Sequence, residues 1–93
     1  MANPTVRLAL AESLIERYND LLTEYEITMD SLIKADESGD DEEVNALTAE
    51  VRTNINVARA LIGYWRGEAA FWRNEINENK TALKDSNKLA SSS

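Results

Sequence analysis

Carboxylates are the only side chains in this sequence that arrive in a pattern with chemical potential. Asp36, Ser38, Asp40 and Glu42 alternate like the opening of a calcium loop. Such a loop also needs glycine at its sixth position for a sharp turn and glutamate at its twelfth as a two-oxygen ligand. Those positions hold Asp41 and Leu47, so a calcium site is not expected. The chain has no histidine and no cysteine. That excludes disulfides, thiol catalysis, thiolate metal sites and imidazole bases or ligands. Other carboxylates are plentiful, but none is marked out as an acid–base pair, and they read as solvated helix faces. There is no phosphate loop and no nucleophile–base constellation. The expectation is a protein that is not an enzyme and carries no cofactor or metal.

The elements that position these groups are helical. One proline and three glycines in 93 residues argue for long regular elements. The stretch from Val57 to Trp72 is apolar almost all the way round, with charge only at Arg59, Arg66 and Glu68. A helix of that kind has to be enclosed by other helices. Ile55, Ala58, Ile62, Trp65, Ala69, Trp72 and Ile76 recur at steps of three and four and define one seam. Val57, Leu61, Tyr64 and Phe71 lie beside it. Ala60, Gly63, Gly67 and Ala70 form a third row of small residues, roughly opposite the first. Each glycine inside a helix costs about 1 kcal/mol relative to alanine, so close approach of another backbone is a candidate compensation.

Upstream, Asn3 before Pro4 is a helix start signal. Leu8, Ala11, Ile15, Tyr18, Leu22, Tyr25, Met29 and Leu32 then alternate in steps of four and three, a coiled-coil seam. Six acids in the eight residues 36–43 would repel one another along a continuous helix, and Gly39 suits a helix C-terminus. Asp40 with Glu43 resembles a capping box for the next helix. Val44, Leu47 and Val51 lead into the central seam with one residue of phase shift before Ile55. The predicted fold is all-α: an antiparallel, coiled-coil-like two-helix hairpin that assembles into a four-helix or larger bundle. Its single domain covers 1–84, with helix 4–37, turn 38–40 and helix 41–84, and a polar tail follows at 85–93. The second helix continues its seam through Ile76 toward Leu83 and outruns the first.

Charge sets an expected register. The net charge is −7. Residues 1–50 hold three Lys/Arg against thirteen Asp/Glu, and residues 51–93 hold seven against four. The two halves are complementary. A pivot at Gly39 places Glu12 opposite Arg66 and Glu26 opposite Arg52, with Arg59 facing Asn19 and Arg73 facing Thr5. The same pivot puts Leu14, Leu21, Val57, Tyr64 and Phe71 together on one broad side. A contiguous exposed apolar surface marks an interface. The expected interface therefore comprises Leu14, Leu21, Val57, Ala60, Gly63, Tyr64, Gly67 and Phe71, and a second copy of the hairpin is the economical partner.

Trp65-Arg66-Gly67 resembles the W-x-G motif of the WXG family of small secreted helical hairpins, and Tyr64 to Glu68 mimics that family's tyrosine–acid spacing. The resemblance implies a hairpin fold and secretion. It departs in placement: the family carries W-x-G in the turn, whereas the turn signals here lie at Ser38 to Asp41. The Gly63–Gly67 spacing matches a membrane dimer motif, but the charges around it do not suit a bilayer, and no stretch is long enough to span one. The N-terminus lacks the pattern of a signal peptide, so a cytoplasmic or virion-associated protein is expected.

Three functions remain in view. The first is a nonenzymatic structural or adaptor module that binds itself and another protein. The second is a small acidic inhibitor, of the kind phages encode, that mimics nucleic acid to block a basic protein through Glu12, Glu16, Asp20, Glu24 and Asp30. The third is a secreted WXG-like hairpin. Direct nucleic-acid binding is not expected of an acidic chain.

Overall fold

A computed structural model describes the backbone of residues 3–92 and the side chains of residues 3–81. Two helices make up the fold, α1 at Pro4–Ala35 and α2 at Glu42–Ser92. They pack antiparallel as a hairpin 79 Å long and 20 by 14 Å across. α1 begins as its sequence dictates. The Asn3 side chain accepts hydrogen bonds from the Thr5 and Val6 amides at 3.0 and 3.4 Å, and Pro4 fills the first turn. Such a cap contributes about 1 kcal/mol.

The turn is wider than 38–40. α1 stops at Ala35 rather than at residue 37, because Asp36 draws the chain out of the helix. Its carboxylate accepts from the Ser38 hydroxyl at 3.0 Å and from the Asp41 amide at 2.9 Å. An aspartate side chain that binds nearby backbone competes with the helical ladder in this way. Gly39 takes φ +76°, the left-handed conformation a glycine adopts without penalty. The cap of α2 is Asp41, not Asp40: its carboxylate accepts from the Glu43 and Val44 amides at 2.9 and 3.2 Å. Asn45 ties the junction by donating to the Gly39 carbonyl at 3.0 Å.

α2 continues through residues 85–92, where a polar tail was expected. No proline or glycine follows Gly67, and alanine, leucine and lysine recur, so nothing in the sequence stops the helix. Leu83 lies outside the described side chains. At 51 residues against 32, α2 projects past the start of α1.

The core is a single thin seam. On α1 it holds Leu8, Ala11, Ile15, Tyr18, Leu22, Tyr25, Met29 and Leu32, all buried or half-buried. On α2 it holds Val44, Thr48, Val51, Ile55, Ala58, Ile62, Trp65, Ala69, Trp72 and Ile76. The alternation on α2 is unbroken, with no phase shift. Thr48 takes the seam position and Leu47 sits on the flank, 42% exposed. Among the described residues the buried set is Ala11, Ile55, Ala58, Ile62 and Ala69, and no large side chain is fully enclosed. Read in opposite directions, the two seam patterns match position for position, which sets Ala11 against Ala69 and Tyr18 against Ile62.

The ion pairs correct the expected register. Glu12 meets Arg73 at 3.1 Å rather than Arg66, and Glu26 meets Arg59 at 3.7 Å rather than Arg52. Both shifts are one heptad, and the cause is side-chain direction. Each Cα–Cβ bond tilts toward its own helix N-terminus. In antiparallel helices, residues at one level therefore lean apart, and an acid on α1 meets the arginine further along α2. These pairs are exposed and contribute only about 0–1 kcal/mol each.

Candidate interaction face

Beside the buried seam runs a second row, and it is the hairpin's most distinctive surface. On α2 the row is Val57, Leu61, Tyr64, Glu68, Phe71 and Glu75, again at steps of four and three. On α1 it is Arg7, Leu10, Leu14, Arg17, Leu21 and Glu24. Both rows flank the seam on the side opposite the Glu–Arg pairs. A shared notch of about 70 Å³ between Tyr18, Leu21, Val57 and Leu61 links the rows of the two helices.

The apolar members of these rows remain in contact with water. Val57, Tyr64 and Phe71 are 53%, 59% and 53% exposed. Leu14, Leu21 and Leu61 are half-buried. Leu10, absent from the expected interface, belongs to the same surface and is 44% exposed. The signal for it was its place four residues before Leu14 on a row that widens the apolar face. Tyr64 and Phe71 are held in position by their neighbours. Tyr64 meets Trp65 edge-to-face at 5.0 Å, and Phe71 meets Trp72 likewise at 4.8 Å. The Trp72 indole donates to Glu68 at 3.1 Å.

Five of the expected interface residues, Leu14, Leu21, Val57, Tyr64 and Phe71, thus share one side. Ala60, Gly63 and Gly67 lie further round α2 and are exposed. A side chain built on either glycine would meet nothing within 4 Å, so no backbone approaches them within the hairpin. Val6, Ile27 and Ile33 are exposed elsewhere as scattered residues, which is ordinary for a protein surface.

The acidic surface is less open than its composition suggested. Glu12 is engaged by Arg73, and Asp30 pairs with Lys34 at 2.9 Å. The hydrogen bond and charge of Asp30 raise the Lys34 pKa above its ordinary value. Arg17 stands among the remaining acids Glu16, Asp20 and Glu24. In the turn, the hydrogen bond from the Asp41 amide holds the Asp36 carboxyl below the usual carboxylate range. Among the described residues no cluster of potential ligands is placed to hold a metal ion.

Trp65-Arg66-Gly67 lies deep within α2, and Trp65 is a half-buried seam residue. It is nowhere near the turn that the W-x-G motif marks in the family it resembles. The chain is an all-α helical hairpin. Compared with known protein families, characterised proteins and solved structures, it has no match. Among the described residues no helix is long and apolar enough to cross a membrane.

Proposed function

We propose that this chain is a nonenzymatic assembly module, a helical hairpin that associates with itself and serves as a structural or adaptor component. The observation that carries this reading is the second apolar row. Leu10, Leu14 and Leu21 on α1 continue into Val57, Leu61, Tyr64 and Phe71 on α2, and a single hairpin leaves them wet. A contiguous patch of this kind is uncommon on a monomer. The thin core supports the same conclusion. Among the described residues the buried set is three alanines and two isoleucines, and small cores of this type usually need reinforcement from assembly, disulfides or metals.

Sedimentation equilibrium tests the proposal. The wild-type chain should have a mass above that of one hairpin at micromolar concentration. Tyr64→Asp and Phe71→Asp should return it to a single chain while helix content by circular dichroism stays the same. A wild-type chain that remains a single hairpin at that concentration refutes the reading. The acidic-inhibitor alternative has weaker support, since Glu12 and Asp30 are engaged within the hairpin and Arg17 interrupts the other acids.

A further inference from the structure

Resting on that reading, we propose the arrangement of the assembled form: two hairpins side by side, both turns at the same end, with α1 of each packed on α2 of the other. The argument comes from charge along the second row. On α1 that row interleaves Leu10, Leu14 and Leu21 with the cations Arg7 and Arg17. On α2 it interleaves Val57, Leu61, Tyr64 and Phe71 with the acids Glu68 and Glu75. The α1 row is cationic at the levels where the α2 row is acidic; its one acid, Glu24, lies nearer the turn, at about the level of Val57 and clear of Glu68 and Glu75.

A self-complementary two-fold contact offers two ways to bring these rows together. If the axis runs across the hairpin, α2 faces α2, and Glu68 and Glu75 meet a row that has no cation between residues 57 and 75. If the axis runs along the hairpin, α1 faces the partner's α2 at the same level. Arg17 then lies between the partner's Tyr64 and the partner's Glu68, and Arg7 lies beside the partner's Glu75. In an antiparallel pair, residues 17 and 68 have the same stagger along the helix axes as Glu12–Arg73 and Glu26–Arg59 within the hairpin. Among the described residues neither Arg7 nor Arg17 makes an ion pair inside the hairpin, and the acids around Arg17 leave its guanidinium unbridged. Leu10 falls at the level of the partner's Phe71, and Leu21 at that of the partner's Leu61. The product is a four-helix bundle in which every helix has antiparallel neighbours.

The test combines mass with distance. Arg17→Glu alone and Glu68→Arg alone each place like charges in both symmetric contacts, and each should weaken dimerisation by roughly tenfold or more. Mixing the two variants restores attraction at both contacts, so the mixture should dimerise within about threefold of wild type. Because the natural chain has no cysteine, a spin label at Asp40→Cys reports on the turn alone. The two turns should lie within about 25 Å, given helix spacings of 8–10 Å. The crosswise arrangement, centred on the Val57–Phe71 row about 24 residues from the turn, would separate them by roughly 70 Å at 1.5 Å per residue. A dimer with the long distance, or one with no recovery on mixing, overturns the arrangement and leaves self-association standing. A wild-type chain with the mass of one hairpin overturns both.

Discussion

Replacing Ile62 by alanine tests the seam that holds the hairpin together separately from the row proposed to join hairpins. Ile62 is 4% exposed, in the middle of the α2 seam. The change removes three carbon groups, worth about 0.8 kcal/mol each when buried, or roughly 2.4 kcal/mol before any cavity is counted. Residual cavity brings the expected loss to about 2–4 kcal/mol. Domains of this length are stable by about 5–14 kcal/mol in total, so the loss is a large fraction. Tyr64→Ala is the contrast. Tyr64 is 59% exposed, and within one hairpin it gives up mainly its edge contact with Trp65, about 0.5–1.5 kcal/mol. The assay is urea unfolding followed by far-ultraviolet circular dichroism over a wide range of protein concentration. With the proposed association, the wild-type midpoint should rise with concentration. Ile62→Ala should lower that midpoint at every concentration and keep its slope. Tyr64→Ala should flatten the slope, with little effect in dilute solution. A loss below about 1 kcal/mol for Ile62→Ala, or a larger dilute-solution loss for Tyr64→Ala, would refute the division into seam and docking row.

Gly63→Ala and Gly67→Ala meet open space and remove helix-weakening residues, so each should stabilise the hairpin by about 0.8–1 kcal/mol in the same assay. If either substitution lowers the sedimentation mass, the small-residue row is part of the contact after all. Asp41→Ala removes the cap on the Glu43 and Val44 amides and should cost about 1 kcal/mol, read as a lower thermal midpoint. Asp36 gives a pH signature. Its folded pKa is depressed by the Asp41 amide, so its contribution is present above the unfolded carboxylate pKa and fades as pH falls through the folded value. The stability gap between wild type and Asp36→Asn should therefore narrow on acidification below the usual carboxylate range, and a constant gap would contradict the assignment.

The hairpin itself was legible because a four–three alternation of apolar residues has one physical meaning over thirty residues. Asn3-Pro4 and the glycine among acids were equally direct, since each supplies a conformation that few other residues supply. Hydrophobicity alone misleads where geometry decides. Leu47 is more apolar than Thr48, yet Thr48 holds the seam, because the period fixes which position faces the neighbour and the side chain must accept it. Unbroken phase from Val44 to Ile55 was the better guide. Backbone level alone sets the ion-pair register one heptad off, because acids and arginines meet at their tips. Asp36 stopped α1 early through side-chain bonds that composition alone does not reveal. The second row was visible as a broad apolar flank. Its reach to Leu10, and the sorting of its charges between the helices, required the two helices to be set side by side.

The angle between the two rows of α2 bears on the size of the proposed assembly. At 100° per residue, the seam of Ile55, Ala58, Ile62, Trp65, Ala69 and Trp72 and the row of Val57, Leu61, Tyr64 and Phe71 are separated by roughly 100° around the helix. A helix sandwiched in a flat layer would carry its contact rows on opposite sides. A helix at the corner of a four-helix square has its two neighbours about a quarter turn apart, and the rows of α2 match that corner. The rest of its surface then faces outward, where Arg59, Arg66 and Arg73 meet α1 acids or water and the Ala–Gly row adds no bulk. α1 has the same two rows on the same relative sides, with leucines where α2 has aromatics. Both helices of the hairpin thus have the row geometry of a corner, which is what the proposed pairing of two hairpins into a four-helix square requires.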